Sequence, residues 1–253
     1  GEAREDAVAA VKYNNTVRYR DLEFKSDPTT DISRETTINE TVNALSVTCA
    51  AGCVIKTLFD QSGGLNCGGA ACDAAQATNA ARPTLVQNFH SSGHLCAAFS
   101  GSQDLQIAVG FNFAGINQPY TANAVAERTG NTSAINDILQ ENSNSTIFGF
   151  ANATNSVFIL STGASATAND SVPHSITAVL NGASSSYVVD NTTTSVSQAA
   201  TAWGNNGQVG LGSVATGVNA FLTGNICEVG LWPVGFTGTQ ATNMYSNQSA
   251  WYG

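Results

Sequence analysis

The sequence predicts an all-β, two-sheet antiparallel sandwich with a short C-terminal helix, and three observations carry that expectation. Strand signals recur from end to end, with turn residues at about ten-residue spacing and no repeat of fixed period. One stretch alternates without a break, setting Leu105, Ile107, Val109, Phe111 and Phe113 against Gln106, Ala108, Gly110 and Asn112, as a strand with one buried face requires. Helix is expected only over residues 2–12 and 239–247, the second opening on a threonine able to cap its first turn.

In chain order, strands are expected over residues 17–25, 54–59, 95–99, 105–113, 146–150, 157–161, 175–180, 187–190, 208–211 and 225–232. Asn181-Gly182 follows Leu180 directly, and both residues tolerate the positive φ of a tight hairpin, so the pair should join two antiparallel strands. Asp190-Asn191 and residues 151–155 read as the neighbouring turns. At 253 residues one domain is expected, with residues 1–16 an N-terminal extension and 17–253 the sandwich. Hydrophobic residues make up 42% of the chain, enough for a full core without a cofactor.

Charged residues are only 11% of the chain, against about 25% in an average soluble domain, so solubility must come from Ser, Thr, Asn, Gln and Gly. Nine acids fall between Glu2 and Glu40 and six bases between Arg4 and Arg34. Beyond Arg128 there is no Lys or Arg, while Asp137, Glu141, Asp170, Asp190 and Glu228 remain. Nucleic acid and anionic membrane surfaces both call for clustered bases, so neither is expected as a partner. No apolar run approaches a membrane span, and Gly1-Glu2-Ala3-Arg4-Glu5-Asp6 is too polar for a signal peptide, so that if the protein is exported Gly1 is expected to belong to an already processed chain.

Six cysteines allow many pairings in principle. Cys49 and Cys53 flank Ala50-Ala51-Gly52, and Cys67 and Cys72 flank Gly68-Gly69-Ala70-Ala71; such spacers let the chain fold back to the ~5.5 Å Cα separation a disulfide needs. Cys49–Cys53 and Cys67–Cys72 are therefore expected as local bridges, with Cys96–Cys227 joining distant strands. A zinc site drawing on His90 and His94 is the rival, but neither close pair has C-x-x-C spacing, and no metal is expected. Three disulfides imply an oxidising setting: extracellular, or the surface of a cell or virion. Eight N-x-S/T sequons, at Asn14, Asn39, Asn131, Asn144, Asn152, Asn169, Asn191 and Asn247, offer N-glycosylation sites or simply an Asn/Thr-rich surface.

Three runs carry a family resemblance: Lys56-Thr57-Leu58-Phe59-Asp60-Gln61-Ser62-Gly63, Ala74-Ala75-Gln76-Ala77-Thr78 and Arg82-Pro83-Thr84-Leu85-Val86. Their order resembles the opening of the α-L-arabinofuranosidase B catalytic domain and of laminin-G-like domains in bacterial surface and phage proteins, with Phe59 standing for the family's Tyr and Arg82 for its second Gln. The segment from Val17 to Ile32 and the Cys49–Cys53 loop look like the same family's, as do Gln118-Pro119-Tyr120-Thr121, Val125-Ala126-Glu127-Arg128 and the stretch from Gly224 to Pro233. The resemblance implies a concanavalin A-like, two-sheet jelly roll, a fold that hosts lectins, adhesion modules, capsid parts and glycosidases alike.

A retaining glycosidase needs two carboxyl groups about 5 to 5.5 Å apart. The relatives' nucleophilic Glu falls near Asn142-Ser143-Asn144-Ser145-Thr146, where this chain has none; Glu141 is adjacent but in a polar, loop-like setting, and Glu228 belongs to a closing structural strand. No enzyme is therefore expected. Asp60 invites a catalytic or calcium role, yet Asp60-Gln61-Ser62-Gly63 is the pattern of a side-chain-locked turn, and no cofactor is expected. His94 and His174 lack a triad context. For ligand binding the expected residues are Trp203, Asn205 and Asn206, in a Gly/Asn-rich loop, with Tyr120; Trp232 and Trp251 are expected to be packed. The expected function is non-catalytic binding or adhesion, with a glycan as partner. The alternatives are a virion or surface-filament subunit that packs on copies of itself, and an arabinofuranosidase-like hydrolase.

Overall fold

The computed structural model describes residues 17–19, 40–42, 45–48, 54–58, 73–89, 94–107, 119–129, 136–141, 146–150, 156–159, 166–167, 171–196, 208–214, 217, 219–232 and 234–252. In chain order the strands are β1 (Val17–Tyr19), β2 (Glu40–Val42), β3 (Leu45–Thr48), β4 (Val54–Leu58), β5 (Ala74–Ala75), β6 (Thr84–Phe89), β7 (His94–Ser100), β8 (Leu105–Ile107) and β9 (Tyr120–Arg128). Next come β10 (Asn136–Glu141), β11 (Thr146–Phe150), β12 (Ser156–Ile159), β13 (Ala166–Thr167), β14 (His174–Leu180), β15 (Ser185–Val189), β16 (Thr192–Val196), β17 (Val209–Leu211) and β18 (Thr223–Trp232), and the helix α1 (Gly238–Tyr252) ends the chain.

The pairings are antiparallel throughout and trace two layers. Sheet I runs β16-β15-β14-β9-β18, with β7 and then β6 beside the first half of β18 and β1 beside its second half. Sheet II runs β13-β12-β11-β10-β17-β8-β5-β4-β3-β2. Among the described residues one bridge, Val54 to Thr84, links the layers. Alternation aims Ala122, Ala124, Ala126, Ile176, Ala178 and Leu180 from sheet I at Ile55, Leu105, Ile107, Leu139, Val209 and Leu211 from sheet II, and all belong to one buried cluster. Each such Leu or Ile contributes about 1.5–3 kcal/mol by leaving water. The expected all-β sandwich with a C-terminal helix is what forms.

Strand β9 was not marked by alternation in the sequence, and its burial gives the reason. Every residue from Tyr120 to Arg128 is buried, because the outward face of sheet I is covered as well. The Thr121 hydroxyl donates to the Val234 carbonyl at 2.8 Å and accepts the Phe236 N–H at 2.9 Å, fixing the exit from β18. Asn123 donates to the Thr177 hydroxyl at 2.9 Å and exchanges amide hydrogen bonds with Gln248 of α1, which also accepts from the Ser175 hydroxyl. Val125 packs with Tyr252 and the Cys96–Cys227 disulfide. That bond forms as expected, at a bulge in β18 where the register with β9 slips between Ile226 and Glu228.

The helix is longer than the expected 239–247, and its cap is Thr237 rather than a residue inside it. The Thr237 hydroxyl accepts the Gln240 N–H at 3.3 Å while Gln240 Oε1 accepts the Thr237 N–H at 2.8 Å, a reciprocal capping box. Of the three expected turns, 151–155 lies outside the described residues; Asp190-Asn191 forms as a two-residue turn, and Asn181-Gly182 joins its two strands through a four-residue loop, with Asn181 at φ -147° instead of the positive φ of a tight hairpin. Gly182, at φ 55°, opens the 3-10 turn Gly182–Ser184 between β14 and β15, and Asp190 and Asn191, at φ 45° and 66°, make the two-residue turn into β16. The expected helix over 2–12, strand residues 108–113, Cys49–Cys53 and Cys67–Cys72 lie outside the described residues.

Replacing Gln248 by Ala removes the donor to Asn123 Oδ1 under the helix, where an unsatisfied buried group costs about 1–3 kcal/mol. Denaturant unfolding of Gln248→Ala should show that loss, and an unchanged midpoint would mean the helix is held by packing alone.

Candidate functional site

The described residues bring one built polar cluster to the outer face of sheet II. In this sheet Gln106 of β8 stands opposite Ala75 on one side and Gly210 on the other, and Gly210 in turn pairs with Gln140. Leu105 and Ile107 point into the core, so Gln106 and the preceding Asp104 take the opposite face. Asp104 is 2% exposed, and its carboxyl accepts from Gln76 Nε2 at 2.6 Å and from Gln106 Nε2 at 2.7 Å. Burial pushes its pKa above the ordinary carboxylate value, and the two amide hydrogen bonds pull the other way.

Arg82 builds the segment that delivers Gln76. Its Nε donates to the Gln76 carbonyl at 2.8 Å, one terminal nitrogen to the Ala77 carbonyl at 2.9 Å and the other to Asn79 Oδ1 at 3.0 Å. The planar fork thus holds three successive parts of one loop. From the other side Gly217 closes on the pair. It has φ 63°, and a Cβ there would stand 2.5 Å from Gln106 Nε2 and 2.9 Å from Asp104 Oδ2. Only glycine lets the backbone sit so close. The result is two half-buried amides, Gln76 and Gln106, oriented by a sealed carboxyl.

Other expected positions fall elsewhere. Tyr120 is 2% exposed and part of the core, which corrects its expected place in a ligand site: as the first residue of β9 it takes the inward face. Trp203, Asn205, Asn206 and Asp60 lie outside the described residues; Gln208 directly precedes β17, which pairs with β8 and β10. Trp232 is packed as expected, fully buried against the Phe236 ring at 4.9 Å between centroids. His174 is buried with Nδ1 against the Asp190 carboxylate, whose other oxygen accepts the Ser175 N–H at 3.0 Å, a contact that braces the hairpin. Asn191 and Asn247 are exposed; Asn14, Asn39, Asn131, Asn144, Asn152 and Asn169 are outside the described residues. Among the described residues no group of His, Cys, Asp and Glu is arranged to hold a metal. Glu127, Asp137 and Glu228 are buried at 3%, 0% and 2% exposure, and Glu141 pairs in register with Val209.

No family model and no curated protein matches the sequence. Solved structures do match. A GH54 α-L-arabinofuranosidase soaked with a cyclic sulfate inhibitor aligns at TM-score 0.58 and 10% identity, and an arabinofuranosidase complexed with arabinofuranosyl-α-1,2-xylobiose at 0.55 and 12%. Each alignment covers 83% of this chain and 52% of the other. Trypanosoma rangeli sialidase in complex with 2,3-difluoro-KDN aligns at TM-score 0.50 and 12% identity over 83% of this chain and 32% of that one. The chain therefore spans about half the length of the arabinofuranosidases and a third of the sialidase. At these identities the likeness shows the fold: a β-sandwich of the kind glycosidases use. It corrects the expectation of a non-enzyme to this extent: the solved chains that share the fold include two arabinofuranosidases and a sialidase, each matched over part of its length.

Because Asp104 holds its proton more tightly in the folded chain than at its ordinary pKa of 3.8, its protonated form stabilises the fold fully below that pH, and the contribution is lost as pH rises through the raised value. Denaturant midpoints measured across the acid range should carry this slope in the wild type and lose it in Asp104→Asn. Gly217→Ala should cost about 1–3 kcal/mol of stability from backbone strain and the close approach to Gln106.

Proposed function

We propose that the chain is a carbohydrate-active sandwich that takes a glycan on the outer face of sheet II. The observation that carries this reading is the amide pair Gln76 and Gln106, fixed by Asp104 and Gly217 on a fold shared with an arabinofuranosidase that holds arabinofuranosyl-xylobiose. Sugar hydroxyls are bound by preset amides and carboxyls, and a surface poor in charge suits a neutral ligand. Gln106 commits its amide nitrogen to Asp104, which leaves its carbonyl oxygen as an acceptor on the half-buried surface. Trp203, Asn205 and Asn206 precede Gln208 by few enough residues that an extended chain spans at most about 18 Å, so this loop is the natural source of a stacking ring. The buried Cys96–Cys227 bond supports action in an oxidising setting, extracellular or on a cell or virion surface. The order of the sequence motifs supports the narrower assignment to the concanavalin A and laminin-G-like jelly rolls.

A second reading, hydrolysis of the bound sugar, is favoured by the glycosidases among the structures that share the fold. Titration against arabinofuranosyl-xylobiose and a glycan array should find a ligand whose affinity falls at least about tenfold in Gln106→Ala and in Trp203→Ala. Chromophore release from aryl arabinofuranosides tests the second reading, with Asp104→Asn and Glu141→Gln naming the carboxyl that carries it. Absence of both binding and release across the array would sink the proposal.

A further inference from the structure

Strand β16 lies at the outer edge of sheet I, and among the described strands it pairs with β15 alone. Which of its backbone groups are committed follows from the turn before it. The Asp190 N–H donates to the Ser175 carbonyl at 3.1 Å, toward β14. Backbone groups alternate sides along a strand, so those of Val189 and Tyr187 face β16, and the two-residue turn makes Val189 and Thr192 a hydrogen-bonded pair. Thr192, Thr194 and Val196 thus direct their N–H and C=O groups to β15, while those of Thr193 and Ser195 point away from the sheet. Thr192, Thr193 and Ser195 are exposed.

Such an open row of donors and acceptors is normally guarded by a Lys, a Pro or a bulge. Thr192–Val196 has none of these: its sequence is Thr-Thr-Thr-Ser-Val, and its register with β15 runs unbroken over five residue pairs. The edge is also free of charge, so two copies meet no like-charge repulsion there although the chain as a whole carries a formal charge of -9.

We infer that this edge is a self-association surface, pairing antiparallel with the same edge of a second copy of the chain. Centred on Thr194, the pairing sets Thr193 of each copy opposite Ser195 of the other, and both pairs are of the hydrogen-bonded kind. Every outward backbone group of the two residues then finds a partner. Thr194 meets itself across the two-fold axis as a pair of the non-hydrogen-bonded kind, and the two copies of sheet I become continuous. This inference is independent of the glycan site, which lies on the other layer.

The register makes the test sharp, because only the residue on the axis faces its own copy. Under mild oxidation Thr194→Cys should form a covalent dimer, since directly opposed non-hydrogen-bonded residues have Cα atoms about 4.5 Å apart, within disulfide range. Thr192→Cys, on the same side of the strand but opposite Val196, should not. Thr193→Pro removes an outward N–H and leaves the ladder to β15 whole, so sedimentation should show self-association of the wild type weakened at least about tenfold in this variant. Far-UV circular dichroism checks that each variant is folded. A wild type that stays monomeric up to millimolar concentration overturns the inference, as does cross-linking of Thr192→Cys as readily as Thr194→Cys.

Discussion

The pairing of β9 with β18 is the constraint on which the rest of the structure depends. Eight residue pairs join the two strands, and each face of the ribbon has its own task. Inward, the small side chains of Ala122, Ala124 and Ala126 leave room for the larger residues of sheet II. Outward, Thr121, Asn123 and Val125 hold in turn the start of the helical segment, its middle and its end. The bulge at Cys227 sits on the same ribbon and supplies the sulfur for the cross-strand bond to β7. Since β18 also receives β1, the last strand of the chain gathers the earliest described one, a long-range closure of the sort that makes β-sandwiches slow to fold.

Much of this was legible from residue patterns. The strict alternation at Leu105 to Ile107 and the Asp190-Asn191 turn express local chemistry, the pairing of Cys96 with Cys227 is what the two close cysteine pairs leave over, and each was found where it was expected; Asn181-Gly182 marks the right corner, built as a longer turn. Strand β9 was not found by periodicity, because a strand buried on both faces has no polar side to alternate with, and its Thr and Asn residues imitate a surface. The helix cap was misplaced by two residues for a different reason: several threonines stand near the start, and only the reciprocal bonds of Thr237 and Gln240 distinguish one.

The polar cluster was the least legible part. Asp104, Gln76 and Gly217 come from three distant stretches, and only Gln106 stood out, as the polar member of an alternating strand. The motif at Arg82 held a clue of another kind, since the departure from the resembling family's Gln places a guanidinium where it can organise a loop. Amides here do what ion pairs do in chains richer in charge: Gln76, Asn123 and Gln248 each join two segments remote in sequence. A neutral hydrogen bond costs less to desolvate than an ion pair, so a chain with few charges can still fix its buried geometry.

The placement of the last two basic residues has a consequence for how the folded chain meets proteases. Arg82 is followed by Pro83, a bond trypsin-like enzymes do not cut, and its guanidinium is tied to its own loop. Arg128 is fully buried, its ring contact with Phe150 lies in the interior, and its carbonyl accepts the Ser171 N–H at 2.6 Å. Beyond it no Lys or Arg follows, so the strands from β10 onward and α1 offer such enzymes no cleavage site at all. A cut at Arg128 made in an opened molecule would still leave the two pieces joined through Cys96 and Cys227. Sparse charge, which leaves solubility to hydroxyls and amides, thereby also strips trypsin-like cleavage sites from the second half of the chain.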